Sequence, residues 1–161
     1  MLVVADSSAL LALATCGALD VLTLIYEDVR VPQAVYHEIT APDKLHSAAL
    51  SAFLAERVVA IDMSHWVLAA GGLGQGELEA MALYRQISAD ALLIDDRRAR
   101  TVAEHNGIIC IGALGVLLLA KHRAHIWHVA PYVEALRASS LHYSEALLTK
   151  VLALADETEQ C

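Results

Sequence analysis

Short unbroken apolar runs alternate along this chain with stretches whose apolar residues recur every three to four positions. The runs Leu2-Val3-Val4-Ala5, Val58-Val59-Ala60-Ile61, Ala91-Leu92-Leu93-Ile94 and Ile108-Ile109-Cys110-Ile111 are too short for helices, and Val29-Arg30-Val31 adds a further short strand. Most also lack the apolar–polar alternation of a half-exposed strand, so they predict strands buried on both faces, as in a parallel sheet. The intervening stretches predict helices. The first is capped by Ser7 or Ser8, runs through Leu10, Leu11, Leu13 and Ala14 and stops near Gly17. Others follow at 19–26, after Pro32 (carrying Val35, His37, Glu38 and Ile39), at 45–56, from Glu77, and after Asp96 through Ala99, Val102 and Ala103 to Asn106-Gly107. A helix at about 114–122 leads into a helical C-terminal region, 131–136 and 144–155. Strands alternating with helices predict a three-layer α/β/α fold around a central parallel sheet. All 161 residues fit one domain, with the helices at about 131–157 packed on its body or on a partner.

Composition sharpens the class. Apolar residues make up 57% of the chain, mostly Ala and Leu with a single Phe, which suits helices packed on a sheet by small aliphatic side chains. The longest apolar run, 113–120, is far short of the roughly 20 residues that span a membrane. The N-terminal run meets Asp6 at once, unlike a signal peptide. Cys16, Cys110 and Cys161 are odd in number and widely spaced, which points to a reduced, cytoplasmic protein without a zinc site. A net charge of −8 opposes broad, charge-driven nucleic-acid binding, yet allows a nuclease whose acidic site is filled by cations. The apolar fraction and a leucine-rich C-terminus (Leu147, Leu148, Val151, Leu152, Leu154) predict a homodimer.

The chemistry lies in acids at strand and helix ends. Leu2-Val3-Val4-Ala5 runs into Asp6, and Ala91-Leu92-Leu93-Ile94 runs into Asp95-Asp96, followed by Arg97, Arg98 and Arg100. Open α/β sheets bind ligands at the carboxyl ends of their strands. Glu38 lies in the helix after Pro32, and Glu77 or Glu79 in the first turn after the glycines at 71–76. Glu77 is nearer the glycine turn, and two residues apart on a helix the pair cannot both enter one site easily. Carboxylates gathered from four segments would repel one another unless a cation joined them, and hard Mg²⁺ or Mn²⁺ ions prefer such oxygen donors.

The ordered set Val-Val-Ala-Asp6-Ser-Ser-Ala, Val31-Pro32-x-Ala-Val-x-x-Glu38, Gly74-x-Gly76-Glu77-x-Glu79-Ala and Leu-Leu-Ile-Asp95-Asp96-Arg97-Arg98-Ala-Arg100 resembles the PIN-domain family. The continuation Gly107-Ile and Ile111-Gly112-x-Leu-Gly115-x-Leu-Leu resembles a little-characterised prokaryotic branch related to the VapC-like toxin ribonucleases. The resemblance implies a metal-dependent endoribonuclease fold, usually dimeric and often the toxin of a pair with an antitoxin protein. It implies Asp6, Glu38, Glu77 and Asp95 or Asp96 as the acids. Ile94 stands where the family usually has a threonine two residues before an aspartate, a pattern that selects Asp96, whereas the interval from Glu77 selects Asp95. Ser7 or Ser8 matches the small polar residue after the first acid.

The implied reaction is hydrolysis of RNA phosphodiester bonds with Mg²⁺ or Mn²⁺. Asp6 and Asp95/Asp96 would be direct ligands, Glu38 and Glu77 direct or water-mediated ones, and Ser7, Arg97, Arg98 and Arg100 would face the substrate. A PIN-fold RNA-binding or protein-interaction module without turnover is the alternative, and a phosphohydrolase of small molecules is a third reading that needs a closed pocket. His122, His125 and His128 lack a completing ligand, the glycines at 71–76 lack the Gly-Lys-Ser/Thr of a P-loop, and Trp66, Trp127 and Tyr132 are scattered as core or interface aromatics are.

Overall fold

The computed structural model describes residues 1–62 and 71–157. Five strands, β1 (Leu2–Ala5), β2 (Asp28–Pro32), β3 (Val58–Val59), β4 (Ala91–Leu93) and β5 (Cys110–Ile111), form one sheet in the order β3-β2-β1-β4-β5. Every pairing among them is parallel, as the unbroken apolar runs predict. The chain first lays strands outward from β1 to β3, then returns to place β4 on the other side of β1. That reversal opens a crevice between the carboxyl ends of β1 and β4.

The strands' own alternation divides the core into two layers. Val3, Ala5, Ala91 and Leu93 face one side, where they meet α1 (Ser7–Thr15), α2 (Leu19–Ile25), α3 (Gln33–Thr40), α4 (Ser47–Leu54) and α7 (Ala113–His122). Val4, Leu92 and Ile94 face the other, against α5 (Gln75–Gln86) and α6 (Arg97–His105). Both faces are dry, so no polar residue appears in β1 or β4. The C-terminal helices α8 (Ala130–Arg137) and α9 (Glu145–Leu154) extend the first layer, burying Val133, Leu136, Leu148 and Val151 against the body.

Several boundaries differ from the sequence pattern, each for a local reason. The first helix is capped by Asp6, whose side chain accepts the Ser8 amide, rather than by either serine. β4 ends at Leu93, although Ile94 is still buried and donates its amide to the Ile111 carbonyl; Asp96 then caps α6 and turns the chain away. Helix α5 begins at Gln75, because Glu77 reaches back one turn to accept the Gly74 amide. Gly107 at φ +72° ends the turn after α6, a conformation that favours glycine. Trp66 and Cys161 lie outside the described residues. Trp127 is 90% exposed, whereas Tyr132 packs at the edge of the core. No single helix among the described residues is long and apolar enough to cross a membrane.

Candidate active site

Asp6 stands at the carboxyl end of β1 and is 2% exposed. The β1–β4 ladder continues through it, since its amide donates to the Leu93 carbonyl at 2.8 Å. Oδ2 accepts from the Ser8 amide at 3.1 Å and from Ser8 Oγ at 2.7 Å. Oδ1 is buried with no hydrogen-bond partner, the one such side-chain atom among the described residues. Burial pushes the Asp6 carboxyl above its ordinary range; the Ser8 bonds oppose this and the charge of Glu38 adds to it. An orphaned buried carboxylate oxygen is costly unless a proton or a cation meets it.

Ser8 joins the two strand ends. While its Oγ donates to Asp6, it accepts the amides of Asp95 and Asp96 at 3.0 and 3.2 Å. The two aspartates then part. Asp95 Oδ1 accepts the Ala113 amide at the start of α7, at 2.9 Å, and Oδ2 accepts the Tyr143 hydroxyl at 2.6 Å. Both of its oxygens are thus bonded to the scaffold, and it does not line the cleft described below. Asp96 is exposed and uses Oδ1 to cap α6 by accepting the Ala99 amide at 2.8 Å.

Glu38 projects from α3 and accepts the Ser7 hydroxyl at 2.8 Å. Gly76 lets α5 come close there: a Cβ at that position would lie 3.0 Å from Glu38 Oε2. On α5, Glu77 accepts the Gly74 amide at 2.7 Å. Its carboxyl is pushed above the ordinary range by burial first, against the pull of the Gly74 bond, and then by the charges of Asp6, Asp96 and Glu38. Those three mutual repulsions identify the acids that share one field. Glu79, 8% exposed, bonds the Ala34 amide at the start of α3 (3.0 Å) and Gln75 (2.8 Å).

Asp6, Ser7, Ser8, Glu38, Glu77, Glu79 and Asp96 line a single half-open cleft of about 1110 Å³ at the crevice beside β1. Glu77 and Glu79 both reach it despite their spacing, because the cleft wraps the first turn of α5; Glu79 does so with both oxygens already bonded. The three arginines do not line it. Arg98 donates to the Gly71 carbonyl at 3.2 Å, Arg100 pairs with Glu104 at 2.9 Å, and Arg97 is exposed at the start of α6. The histidines at 122, 125 and 128 do not share a helix face, since α7 ends at His122 and Ala124 takes a left-handed turn. Sequence reasoning missed His37, Lys44 and Leu141, which also line the cleft, and Tyr143, which holds Asp95. Tyr143 is 48 residues from its partner, and Lys44 sits in a stretch whose pattern shows only a turn.

A family model described as a PIN domain matches residues 2–157. The chain belongs to the PIN-domain family. No curated protein and no solved structure matches it. The five-stranded parallel sheet between two helical layers is the PIN-like architecture, and PIN domains are in general nucleases that typically use divalent metal ions. In this PIN domain no three Asp, Glu, His or Cys side chains among the described residues stand together as a ready ligand set. The donor chemistry nevertheless fits a hard divalent ion. The cleft offers oxygen donors from four segments, one of them the unpartnered Asp6 Oδ1, and their mutual repulsion favours a cation.

Proposed function

We propose that this chain is an endoribonuclease that hydrolyses RNA phosphodiester bonds with Mg²⁺ or Mn²⁺. The observation that carries this reading is the buried, unpartnered Asp6 Oδ1 at the point where strand order reverses, in a cleft shared with Glu38, Glu77 and Asp96. Asp6 and Asp96 would hold the ion directly, with Glu38 and Glu77 completing its shell. A bound divalent ion supplies an activated water and neutralises charge on the scissile phosphate. Ser8 keeps Asp6 and the Asp96 backbone in register, and Ser7 orients Glu38. The half-open shape of the cleft suits a polymer better than the closed chamber a small-molecule phosphohydrolase needs.

The test is cleavage of single-stranded RNA by wild type and Asp6→Asn, each with Mg²⁺ or Mn²⁺ and again with EDTA. Cutting by wild type alone, abolished by EDTA, is expected. Loss of one charged ligand from such a site costs several kcal/mol in transition-state stabilisation, or orders of magnitude in rate. Equal cutting by both proteins would overturn the reading. A non-catalytic binding module remains the second reading, favoured by the use of Glu77 Oε2 in capping Gly74; failure of wild type to cut varied RNAs with either metal would support it.

The reading extends to assembly and biology. Leu147 and Leu154 on α9 are 42% and 63% exposed, which supports a homodimer through this helix. Light scattering at micromolar concentration should then give twice the 17.3 kDa chain mass. A toxin role, with an antitoxin protein as partner, would appear as growth arrest on expression of wild type and none on expression of Asp6→Asn.

A further inference from the structure

Charge is distributed unevenly along the cleft. Five carboxylates, those of Asp6, Glu38, Glu77, Glu79 and Asp96, gather around the strand ends and the first turn of α5. Among the cleft's lining residues, Lys44 is the one permanently cationic side chain, in the turn that follows α3. Lys44 forms no hydrogen bond or ion pair through its ammonium with any described residue, although acids line the same cleft. Its backbone is held firmly: the amide donates to the Ala41 carbonyl at 2.9 Å and the carbonyl accepts the Ser47 amide at 3.2 Å. An exposed ammonium on a braced turn, beside an acidic floor in a chain of net charge −8, can attract a polyanion to this end of the cleft. The arginines beside Asp96, the other cations near the site, do not line the cleft.

We infer that Lys44 is the substrate-holding residue of this cleft, its ammonium binding a backbone phosphate of single-stranded RNA next to the one held at the acids. The inference rests on the nuclease reading and gives the strand a direction, from the acid floor to the turn at 41–46. Leu45, next to Lys44 in the chain and 59% exposed, and Leu141 give the same cleft an apolar lip. An unpaired base can lie on such a lip, whereas a base inside a duplex cannot reach it. The cost of passing an anionic strand over carboxylates is offset at one end by Lys44 and at the other by the divalent ion.

The experiment measures binding and cutting separately. A short fluorescein-labelled oligouridylate is titrated with Asp6→Asn, which leaves the strand intact, and with the same chain carrying Lys44→Ala, Lys44→Arg or Lys150→Ala. Lys150 is exposed on α9, outside the cleft, and controls for loss of net positive charge. Lys44→Ala should weaken binding about tenfold, as loss of a charge-assisted bond does. It should also flatten the plot of log affinity against log salt by about 0.7, the value for one phosphate contact on a single strand. Lys44→Arg should restore most of the affinity and the slope, and Lys150→Ala should change neither. In the wild-type background, Lys44→Ala should raise KM for cleavage of the same oligonucleotide. Unchanged affinity and slope in Lys44→Ala, or an equal loss in Lys150→Ala, overturns the assignment even if wild type cuts RNA. Lys44-dependent binding by a wild type that never cuts overturns the nuclease reading and leaves the phosphate contact standing. Neither binding nor cutting overturns both.

Discussion

The Tyr143 hydroxyl lies 2.6 Å from Asp95 Oδ2, joining the segment before α9 to the end of the central strand β4. Asp95 holds its other oxygen to the Ala113 amide, so three separate parts of the chain meet on one carboxylate. Burial raises the Asp95 carboxyl, and the bonds from Tyr143 and Ala113 oppose that rise, as does the charge of Arg100. The same contact raises the Tyr143 phenol, after burial, by placing it against a negative charge.

Tyr143→Phe removes this donor and leaves Asp95 Oδ2 half-buried without a partner. A loss of about 1–3 kcal/mol in unfolding free energy is expected from an unsatisfied carboxylate oxygen. Chemical denaturation with unchanged slope would measure it, and an unchanged midpoint would show that the bond contributes nothing net.

Asp95 and Asp96 should separate by function. Asp96→Asn keeps the cap on α6, because asparagine caps a helix as well as aspartate, but removes a charge from the cleft. Its melting temperature should therefore stay near wild type while Mn²⁺ affinity, read by calorimetry, falls about tenfold or more. Asp95→Ala should do the opposite, lowering stability with Mn²⁺ affinity within a few-fold of wild type. A larger loss of metal affinity in Asp95→Ala would move the fourth ligand to Asp95.

Asp6→Asn should be at least as stable as wild type without metal at neutral pH. Burial and the Glu38 charge both disfavour ionised Asp6 in the folded chain, and asparagine removes that charge while its oxygen still accepts from Ser8. A gain of about 1 kcal/mol would raise the melting temperature by roughly 2–4 °C for a chain of this size. A clear fall would mean that Oδ1 has a favourable partner in solution.

Glu157 closes the C-terminal region. Its carboxylate accepts from Lys121 Nζ at 2.5 Å and from the Val129 and Ala130 amides at 2.8 Å each, at the start of α8. Burial pushes this carboxyl up, but the bonds from Lys121, Val129 and Ala130 together outweigh it and hold it below its ordinary value of 4.5. A depressed carboxyl contributes stability above its unfolded value, and that contribution is lost as pH falls through the folded value. Wild type should therefore exceed Glu157→Gln in melting temperature at neutral pH, with the gap closing below about pH 4.5. Comparing the two chains cancels the opposite trend from Asp6, Glu77 and Asp95. A gap that is constant down to strongly acid pH would assign the effect to shape rather than charge.

The sequence by itself determined the strands, their parallel pairing and the meeting of Asp6 with Asp95-Asp96. In the central strands β1 and β4 an apolar run without polar alternation is buried between the two layers, and each carries the acid that follows it to the sheet's carboxyl edge, whereas in the edge run at 108–111 Ile109 is 64% exposed. It also placed Glu38 and Glu77 near that edge through the family's ordered motifs. Tertiary structure alone decided which neighbouring group faces the cleft. Asp95 and Asp96 are adjacent in the chain, but Tyr143 and Ala113 claim one and leave the other at the mouth of α6. Glu77 and Glu79 both reach the cleft, but only Glu79 has both oxygens bonded, to the start of α3 and to Gln75. Lys44 entered the site, and the three arginines did not, through the direction in which a turn and a helix leave the sheet. Local patterns encode burial and period, whereas the direction of a side chain at an element's end depends on partners tens of residues away.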